Sequence, residues 1–380
     1  MKKLIGILLA LSILSAMLVT GCSPAKVPDS VAPTGDSSAS PAPEETKKPK
    51  VALLLPGMLG DKSFLDSAAK GLDMLKNEGF EVKIVEMGLD ETKWVPTMTD
   101  ISEQDYDIIV TGPWQVEDAL WEVAPQFPDK KYLLFDTEFE DGNPDNVCSI
   151  LYSQNQISFL TGALAAKITQ SNMPLVKKTN VIGFVGGMDI PVINDFMVNY
   201  IKGAQYVDPN VKVAVSYVGD FVDSATGKEL ALSQFNNQKV DIIFQCASQS
   251  GLGCLEAAKE LNKYVIGVDE DQAEIFKTSD PELASHIVTS ALKKVGESIV
   301  AAVYEDMLTV LPWGESVTYG LESEAIGFAK NDIYTSTVPQ DVRDYMEELE
   351  KKVLKGEIPL ITAYGMTAQE VEAIKNSAKP

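Results

Sequence analysis

Short aliphatic runs recur along the chain and alternate with segments long enough to form helices. Each run has the continuous apolar character of a strand that is buried on both faces, and apolar residues between the runs recur at the three- and four-residue spacing of a helix. The predicted strands are 50–55, 81–87, 107–111, 131–136, 181–185, 211–218, 240–246 and 264–268, and helices are predicted near 192–205, 225–237 and 252–262. Strands that alternate with helices form parallel sheets with right-handed crossovers. Two such sets predict two open α/β lobes.

The first 22 residues have the pattern of an export signal. Lys2 and Lys3 precede an apolar run, 4–19, and the sequence Val-Thr-Gly-Cys ends at Cys22. A positive start, a short apolar core and a small-residue cleavage site are typical of a secretory signal peptide, and the Cys resembles the bacterial lipoprotein signature. The sequence predicts a signal peptide over 1–21 and a lipid on Cys22, which would anchor the mature protein to the extracytoplasmic face of a membrane. An ordinary signal peptide and an N-terminal transmembrane anchor are the alternatives.

Residues 22–49 are rich in Pro, Ser, Ala and charged side chains and contain few aliphatic ones. Such a composition cannot bury enough surface to fold, so it predicts a disordered tether. A flexible chain of this length reaches about 30 Å from its anchor. The folded part would therefore stay close to a partner in the membrane.

The charge balance excludes several classes of function. The chain has 55 Asp and Glu against 32 Lys and Arg, a net charge of -23. Such a surface repels nucleic acid and anionic lipid, so no nucleic-acid partner is predicted and membrane contact would have to come from the lipid. The charge does not indicate which solute binds.

Histidine and cysteine usage weighs against catalysis and metal binding. His286 is the one histidine in the chain, and neither a Cys/His metal spacing nor a nucleophile elbow is present, so we predict neither an enzyme nor a bound metal or cofactor. Cys148, Cys246 and Cys254 remain after Cys22. We interpret them as small buried hydrophobic residues, with a Cys246–Cys254 bridge as the alternative.

Ligands of open α/β sheets bind beyond the carboxyl ends of the strands, which directs attention to the loops there. The loop 57–64 joins the first predicted strand to a helix, where Asp61 would cap the helix or contact a ligand and Phe64 would border the mouth or pack internally. Asp136 and Asp269 end two other strands, where carboxylates can accept hydrogen bonds from sugar hydroxyls. The glycine pair 251–253 is an incomplete dinucleotide fingerprint, and no Walker-type phosphate loop is present.

Several longer motifs carry a family resemblance. They are Gly-Phe-Val-Gly-Gly-Met-Asp-Ile-Pro at 183–191 with Phe196 after it, Gly-Asp-Phe-Val-Asp at 219–223, Phe-Gln-Cys-Ala at 244–247 with Gly-Leu-Gly at 251–253, and Ile-Gly-Val-Asp-Glu-Asp-Gln at 266–272. In order and content they resemble the basic membrane protein family of purine-nucleoside receptor lipoproteins. The resemblance covers about 50–328.

The resemblance implies an α/β fold of the type I periplasmic-binding-protein class, with two Rossmann-like lobes of parallel strands joined by three crossovers. We expect the crossovers near 149–152, 287–290 and 317–321. The expected N-terminal lobe is 50–150 plus 289–319, and the expected C-terminal lobe is 151–288 plus 320–380. The implied function is a monomeric solute receptor for an ABC importer, with a permease and an ATPase as partners.

The resemblance also implies a ligand site. Two aromatic rings would clamp a purine, acids would lie near the base, and an acid, a glycine and a lysine would hold the ribose. The matching positions are Phe64 and Phe196 for the clamp, Asp61 and Asp136 near the base, and Gly251, Asp269 and Lys293 for the sugar. Trp114 would supply another ring face or pack internally. On its own sequence context, Lys293 could also be a solvated helix charge.

The chain departs from the family in the first loop, where Leu55, Gly60 and Leu65 stand in place of an Asp, a second acid and an Asn, and Ser248 replaces a usual Gly. We therefore expect the sugar end of the ligand to be held as in the family and the ring end to be recognised differently from the family. A riboflavin-like ligand, and a lipoprotein that signals or adheres without transporting a solute, are the alternatives to a nucleoside receptor.

Overall fold

The computed structural model describes residues 47–380, and the aliphatic runs within them form two six-stranded sheets. In the first sheet every pairing is parallel, in the order β11-β5-β4-β3-β1-β2. Its strands are β1 (Val51–Leu55), β2 (Val82–Glu86), β3 (Ile108–Thr111), β4 (Lys131–Phe135), β5 (Val147–Tyr152) and β11 (Ser316–Tyr319). The interior strand β1, between β3 and β2, is buried at all of its positions, as expected for a strand covered on both faces.

The second sheet repeats this order as β12-β10-β9-β8-β6-β7. Its strands are β6 (Val181–Gly186), β7 (Lys212–Tyr217), β8 (Ile242–Cys246), β9 (Tyr264–Asp269), β10 (Ile287–Lys293) and β12 (Ile326–Phe328). The edge strand β12 runs antiparallel to β10, and the other pairings are parallel. The two sheets therefore match strand for strand except at one edge, and the predicted pair of α/β lobes is confirmed.

Helices cover both faces of the sheets. In the described residues the α-helices are α1 (Phe64–Asn77), α2 (Trp94–Ser102), α3 (Glu117–Val123), α4 (Gln154–Gln170), α5 (Pro191–Val207), α6 (Ser224–Asn236), α7 (Ser248–Glu260), α8 (Gln272–Phe276), α9 (Pro281–His286), α10 (Val295–Met307), α11 (Asp332–Thr337), α12 (Gln340–Leu354) and α13 (Ala368–Ser377). The predicted helices of the second half correspond to α5, α6 and α7. Short 3₁₀ turns lie at Glu91–Lys93, Trp114–Val116, Ala124–Gln126 and Leu321–Ser323.

Within residues 47–380, the chain passes between the sheets three times, after β5, after β10 and after β11. The first and third passages lie next to the expected positions. The second differs from the expected 287–290, because β10 pairs with β9 from Ile287 to Leu292 and so belongs to the second sheet. Residues 289–293 therefore lie in the C-terminal lobe, and the sequence missed this because the aliphatic run of β10 looks the same for a strand as for a crossover.

The interior of each lobe is apolar and has free thiols. Cys148, Cys246 and Cys254 are buried and unbridged, so the alternative of a Cys246–Cys254 disulfide is wrong. His286 is also buried, with its Nδ1 atom 2.8 Å from the carbonyl oxygen of Lys263, in keeping with a structural residue.

The predicted signal peptide, Cys22 and most of the predicted tether lie outside the described residues. Within 47–380, no helix is both long enough and apolar enough to cross a membrane.

Candidate ligand-binding cleft

The carboxyl ends of strands from both sheets border one cleft of about 370 Å³. Strand ends of an open α/β sheet meet at a common edge, so two sheets facing each other place their loops around a shared space. The cleft contains all the predicted ligand residues except Gly251: Asp61, Phe64, Trp114, Asp136, Phe196, Asp269 and Lys293. The structure thus brings together side chains that are far apart in sequence.

Asp61 caps α1, and its carboxylate is saturated with donors. It accepts hydrogen bonds from the backbone N–H groups of Ser63, Leu65 and Asp66 at 2.9–3.1 Å. The hydroxyl of Ser248, from the opposite lobe, donates a fourth at 2.8 Å. An ionised carboxylate has about four acceptor positions, so Asp61 has little capacity left for a ligand.

Ser248 explains one departure from the family pattern. Its backbone lies in the left-handed region, with φ of 49°, a conformation that glycine adopts at lower cost. The serine side chain is what reaches Asp61 across the cleft. The substitution therefore adds a hydrogen bond between the lobes.

Asp269 is buried at the end of β9 and faces the N-terminal lobe. The hydroxyl of Ser63 donates to its Oδ2 atom at 2.5 Å. Burial raises the pKa of Asp269 to about 7, the negative charges of Asp61 and Asp136 add to the effect, and the Lys293 ammonium and the Ser63 hydroxyl oppose it. Its second oxygen is the atom that could accept a hydrogen bond from a ligand hydroxyl.

Lys293 and Asp136 form a buried ion pair across the cleft. Lys293 ends β10 in the C-terminal lobe, while Asp136 follows β4 in the N-terminal lobe. Burial raises the pKa of Asp136 above its ordinary value, although the Lys293 ammonium opposes this. The alternative of a solvated helix charge at Lys293 is wrong, because the side chain is buried and paired.

Aromatic rings surround the Lys293 ammonium. Its Nζ atom lies 5.4 Å from the ring centroid of Phe64, 5.7 Å from that of Phe196 and 5.0 Å from that of Tyr152. Phe64 begins α1 in one lobe and Phe196 lies on α5 in the other, so the cleft has an aromatic ring on each side. A cation within about 6 Å of a ring face is attracted by it, which holds the ammonium at this level of the cleft.

Gly251 does not contribute to the cleft. It lies on α7 against the side chain of Gln245, and a Cβ atom at this position would be 1.8 Å from Gln245 Oε1. The glycine is thus required by the packing of α7 on β8. The family pattern alone led us to expect a sugar contact here.

Sequence reasoning missed several polar residues that line the cleft or join the two lobes beside it. Gln272 is buried, accepts from Gln245 Nε2 at 2.8 Å, and donates from its own Nε2 to the carbonyl oxygen of Lys62 at 3.1 Å, which again links the lobes. Ser63 and Gln115 were also missed. The signal for Gln272 was present in the Asp-Gln pair that ends the 266–272 motif, but nothing in the local sequence distinguished Ser63 or Gln115.

The acids of the cleft do not form a metal centre. Within 47–380, no group of three or more His, Cys, Asp and Glu side chains is arranged to hold a metal ion. The described carboxylates instead receive hydrogen bonds from serine hydroxyls and backbone N–H groups or pair with Lys293. The arrangement is therefore suited to reversible binding of a small polar molecule that carries a ring.

Two α/β lobes with a ligand-sized cleft between them are typical of solute-binding proteins, and a solved structure of such a protein is similar to this chain. A solute-binding protein of an ABC transporter system from Aeropyrum pernix K1 is 26% identical, with a TM-score of 0.73, covering 87% of this chain and 99% of that one. An ABC transporter solute-binding protein from Mycobacterium smegmatis shares the fold at a TM-score of 0.56.

The chain belongs to the PnrA-like family of ABC transporter substrate-binding proteins, whose family model matches residues 48–361. Basic membrane protein A2 of Borrelia garinii subsp. bavariensis is 30% identical over 318 residues, which cover 83% of this chain and 88% of the relative. A relative from Lactococcus lactis subsp. cremoris, named ABC transporter nucleoside-binding protein BmpA, is 26% identical over 375 residues, which cover 94% and 99%. This is a family of binding proteins rather than enzymes, and membership implies a small-molecule ligand with permease and ATPase partners.

Proposed function

We propose that this protein is a lipid-anchored, extracytoplasmic receptor that delivers a purine nucleoside, or a related ring-bearing solute, to an ABC importer. It would act as a monomer, and closure of its two lobes around the solute would present it to the permease. The protein would release its ligand unchanged.

One observation carries the proposal for the ligand. Phe64 and Phe196 come from opposite lobes and border the same cleft, and their ring centroids lie 5.4 and 5.7 Å from the Nζ atom of Lys293. A flat ring that enters this space would meet an aromatic side chain from each lobe. Offset-stacked rings contribute about 0.5–1.5 kcal/mol beyond burial.

The polar groups near the clamp support a sugar next to the ring. Asp269 has one carboxylate oxygen that is not engaged by Ser63, and the Asp136–Lys293 pair provides both an acceptor and a donor. Ribose hydroxyls can donate and accept at once, so they suit this set. The cleft also carries more carboxylates than ammonium groups, which favours a nucleoside over a nucleotide because a phosphate would be repelled.

Apolar side chains near the expected position of the ligand's ring favour a second candidate ligand. Met58, Leu65, Leu89 and Trp114 line this part of the cleft. A ring system with a hydrocarbon edge, as in a riboflavin-like ligand, would be accommodated there. Both candidates are ring-bearing solutes and share the aromatic clamp.

The proposal for the anchor rests on the sequence, in which Lys2, Lys3 and the apolar run precede Cys22. Growth with radiolabelled palmitate should label the wild-type protein and leave Cys22→Ser unlabelled. Equal labelling of both proteins would remove the lipid from the account.

Mass spectrometry of the solute that remains bound to the gently purified protein tests the ligand directly. We expect a purine nucleoside, recovered with the same mass after prolonged incubation. A flavin would shift the proposal to the second candidate, and a chemically altered nucleoside would show turnover and contradict a receptor.

A further inference from the structure

Gln115 has a buried side-chain oxygen that lacks a hydrogen-bond partner. Across 47–380, the residues with such buried unpaired side-chain atoms are Gln115, Tyr152, Gln154, Asn199, Tyr200, Gln234 and Glu297. Of these, Gln115 is the one that lines the cleft. Buried polar atoms are almost always hydrogen-bonded in native proteins, so an unpaired acceptor on a residue that lines a ligand site points to a donor on the ligand.

The backbone holds Gln115 in a fixed position. It lies in the 3₁₀ turn Trp114–Val116, which follows the end of β3. The N–H of Val116 donates to the carbonyl oxygen of Pro113 at 3.2 Å, and the Val116 side chain is fully buried in the N-terminal lobe. Because the next residue is anchored in the core, Gln115 is preorganised at the strand end.

Four of the five carboxylates that line the cleft have partners already. Asp61 receives four donors, and Asp269 and Asp136 are engaged by Ser63 and Lys293. Asp220 accepts from the N–H groups of Val222 and Asp223 at 2.8–2.9 Å and from Ser250. Besides the second oxygen of Asp269 and the exposed Glu91, Gln115 is an acceptor in the cleft that a ligand N–H can use without displacing one of these donors.

The loop after β1 provides no other amide near the expected position of the ligand's ring. Leu65 lines the cleft there, and its Cδ1 atom lies only 2.9 Å from where a Cβ atom on Gly57 would be. This leucine stands where the resemblance leads us to expect an asparagine, so the loop has lost an amide that could read a ring. Gln115 supplies an amide from the neighbouring strand end, next to Trp114, whose ring is 40% exposed.

We propose that Gln115 reads the ring edge of the ligand, with its Oε1 atom accepting a hydrogen bond from a ring N–H or an exocyclic amine while Trp114 covers the ring. The inference rests on the proposed function and narrows it: the ligand is a nucleoside whose ring carries an N–H donor. Glutamine amides recognise the edge of adenine in the same chemical way in other proteins.

Purine riboside is the matched probe, because it keeps the ring and the ribose but has no N–H on the ring. Isothermal titration should show that the wild-type protein binds adenosine or inosine on the order of tenfold more tightly than purine riboside. Gln115→Leu should erase this preference by weakening the donor-bearing nucleosides alone. Gln126→Leu is the control, since Gln126 is an exposed glutamine of the same lobe that does not line the cleft, and it should leave the preference unchanged.

Gln115→Glu keeps an acceptor oxygen and should retain the preference, which guards against a general effect of the leucine on folding. A preference that survives in Gln115→Leu would overturn the inference while leaving the nucleoside receptor intact. Equal weakening of all three nucleosides would assign Gln115 to packing. No binding of any nucleoside to the wild-type protein would reject the proposed function and this inference with it.

Discussion

The hydroxyl of Ser63, in the N-terminal lobe, donates a 2.5 Å hydrogen bond to Oδ2 of Asp269, in the C-terminal lobe. A second hydrogen bond, of 2.8 Å, also crosses the cleft, and here the hydroxyl of Ser248 in the C-terminal lobe donates to Asp61 in the N-terminal lobe. Each bond joins the loop after a strand of one sheet to the loop at the end of a strand of the other. The two pairs therefore fasten the closed arrangement, and the cleft can open only when they separate.

Removal of the Ser63 hydroxyl should shift the ligand-free protein toward an open form. A hydrogen bond to a charged group contributes about 1.5–3 kcal/mol, so Ser63→Ala should change the ratio of closed to open molecules by roughly tenfold or more. Small-angle scattering should give a larger radius of gyration for Ser63→Ala than for wild type. Ser67→Ala, a buried serine on α1, is the control.

Ligand should compact the protein further. Two lobes joined by crossovers bury a small solute by closing around it. Saturating nucleoside is therefore expected to reduce the radius of gyration of both wild type and Ser63→Ala. An identical radius with and without ligand in both proteins would contradict the closing mechanism.

Opening should also depend on pH through Asp269. Its ordinary pKa is 3.8, and burial raises the pKa to about 7 in the closed arrangement. Between these values the closed form holds a proton that an open, solvated carboxyl would release, so raising the pH through this window favours the open form. The unfolded chain also exposes Asp269, so the free energy of unfolding should fall over the same window.

Scattering and urea unfolding between pH 4 and 8 would measure both effects, with Asp269→Asn as the control that should flatten them. The titratable groups that face Asp269 are Asp61, Asp136, Lys293 and Cys246. If Asp269→Asn keeps the wild-type pH profile, another of these groups is responsible.

Phe196→Ala should weaken binding by roughly 1.5–3 kcal/mol, or on the order of ten- to a hundredfold in affinity, because it removes a stacking partner and its buried surface. Phe196 is 2% exposed and its ring lies 6.1 Å from that of Phe244, so the change also affects packing. Phe196→Leu keeps most of the volume and separates the two effects. If calorimetry found wild-type affinity in a folded Phe196→Leu protein, the aromatic clamp would be wrong on this side.

The Asp136–Lys293 pair should matter for stability as well as for binding. Lys293→Met would leave the buried carboxylate of Asp136 without its cation, which costs about 3–5 kcal/mol in typical cases. Adding Asp136→Asn removes the uncompensated charge, so the double variant should recover much of the lost unfolding free energy. A double variant no more stable than Lys293→Met would argue against coupling between the two side chains.

The two-lobed fold follows from the sequence because buried parallel strands appear as uninterrupted aliphatic runs, as in β1. The sequence did not reveal that β10 belongs to the second sheet, since strand pairing depends on contacts that an aliphatic run does not encode. The positions of the family motifs predicted Phe64, Phe196 and Lys293 as ligand residues, and the three side chains border one cleft. The same reasoning also assigned Gly251 to the ligand, but Gly251 does not line the cleft, and its close packing on Gln245 accounts for the glycine.

The polar bonds between the lobes lay beyond sequence reasoning for a different reason. Ser63, Ser248 and Gln115 are common residue types in loops, and their importance comes from what faces them across the cleft. Only the fold shows that the carboxylate of Asp61 accepts hydrogen bonds from four donors, whereas the side-chain oxygen of Gln115 has no donor.

The most direct test of a nucleoside receptor compares a nucleoside with its free base by isothermal titration, on wild type and on Asp269→Asn. Asp269→Asn removes the charge and half of the acceptor character of the side chain, so it should cost about 1.5–3 kcal/mol wherever ribose hydroxyls donate to the carboxylate. We predict that wild type binds the nucleoside more tightly than the base, and that Asp269→Asn weakens the nucleoside alone. Equal affinity of wild type for nucleoside and base, or equal weakening of both by the substitution, would contradict ribose recognition and with it the nucleoside receptor.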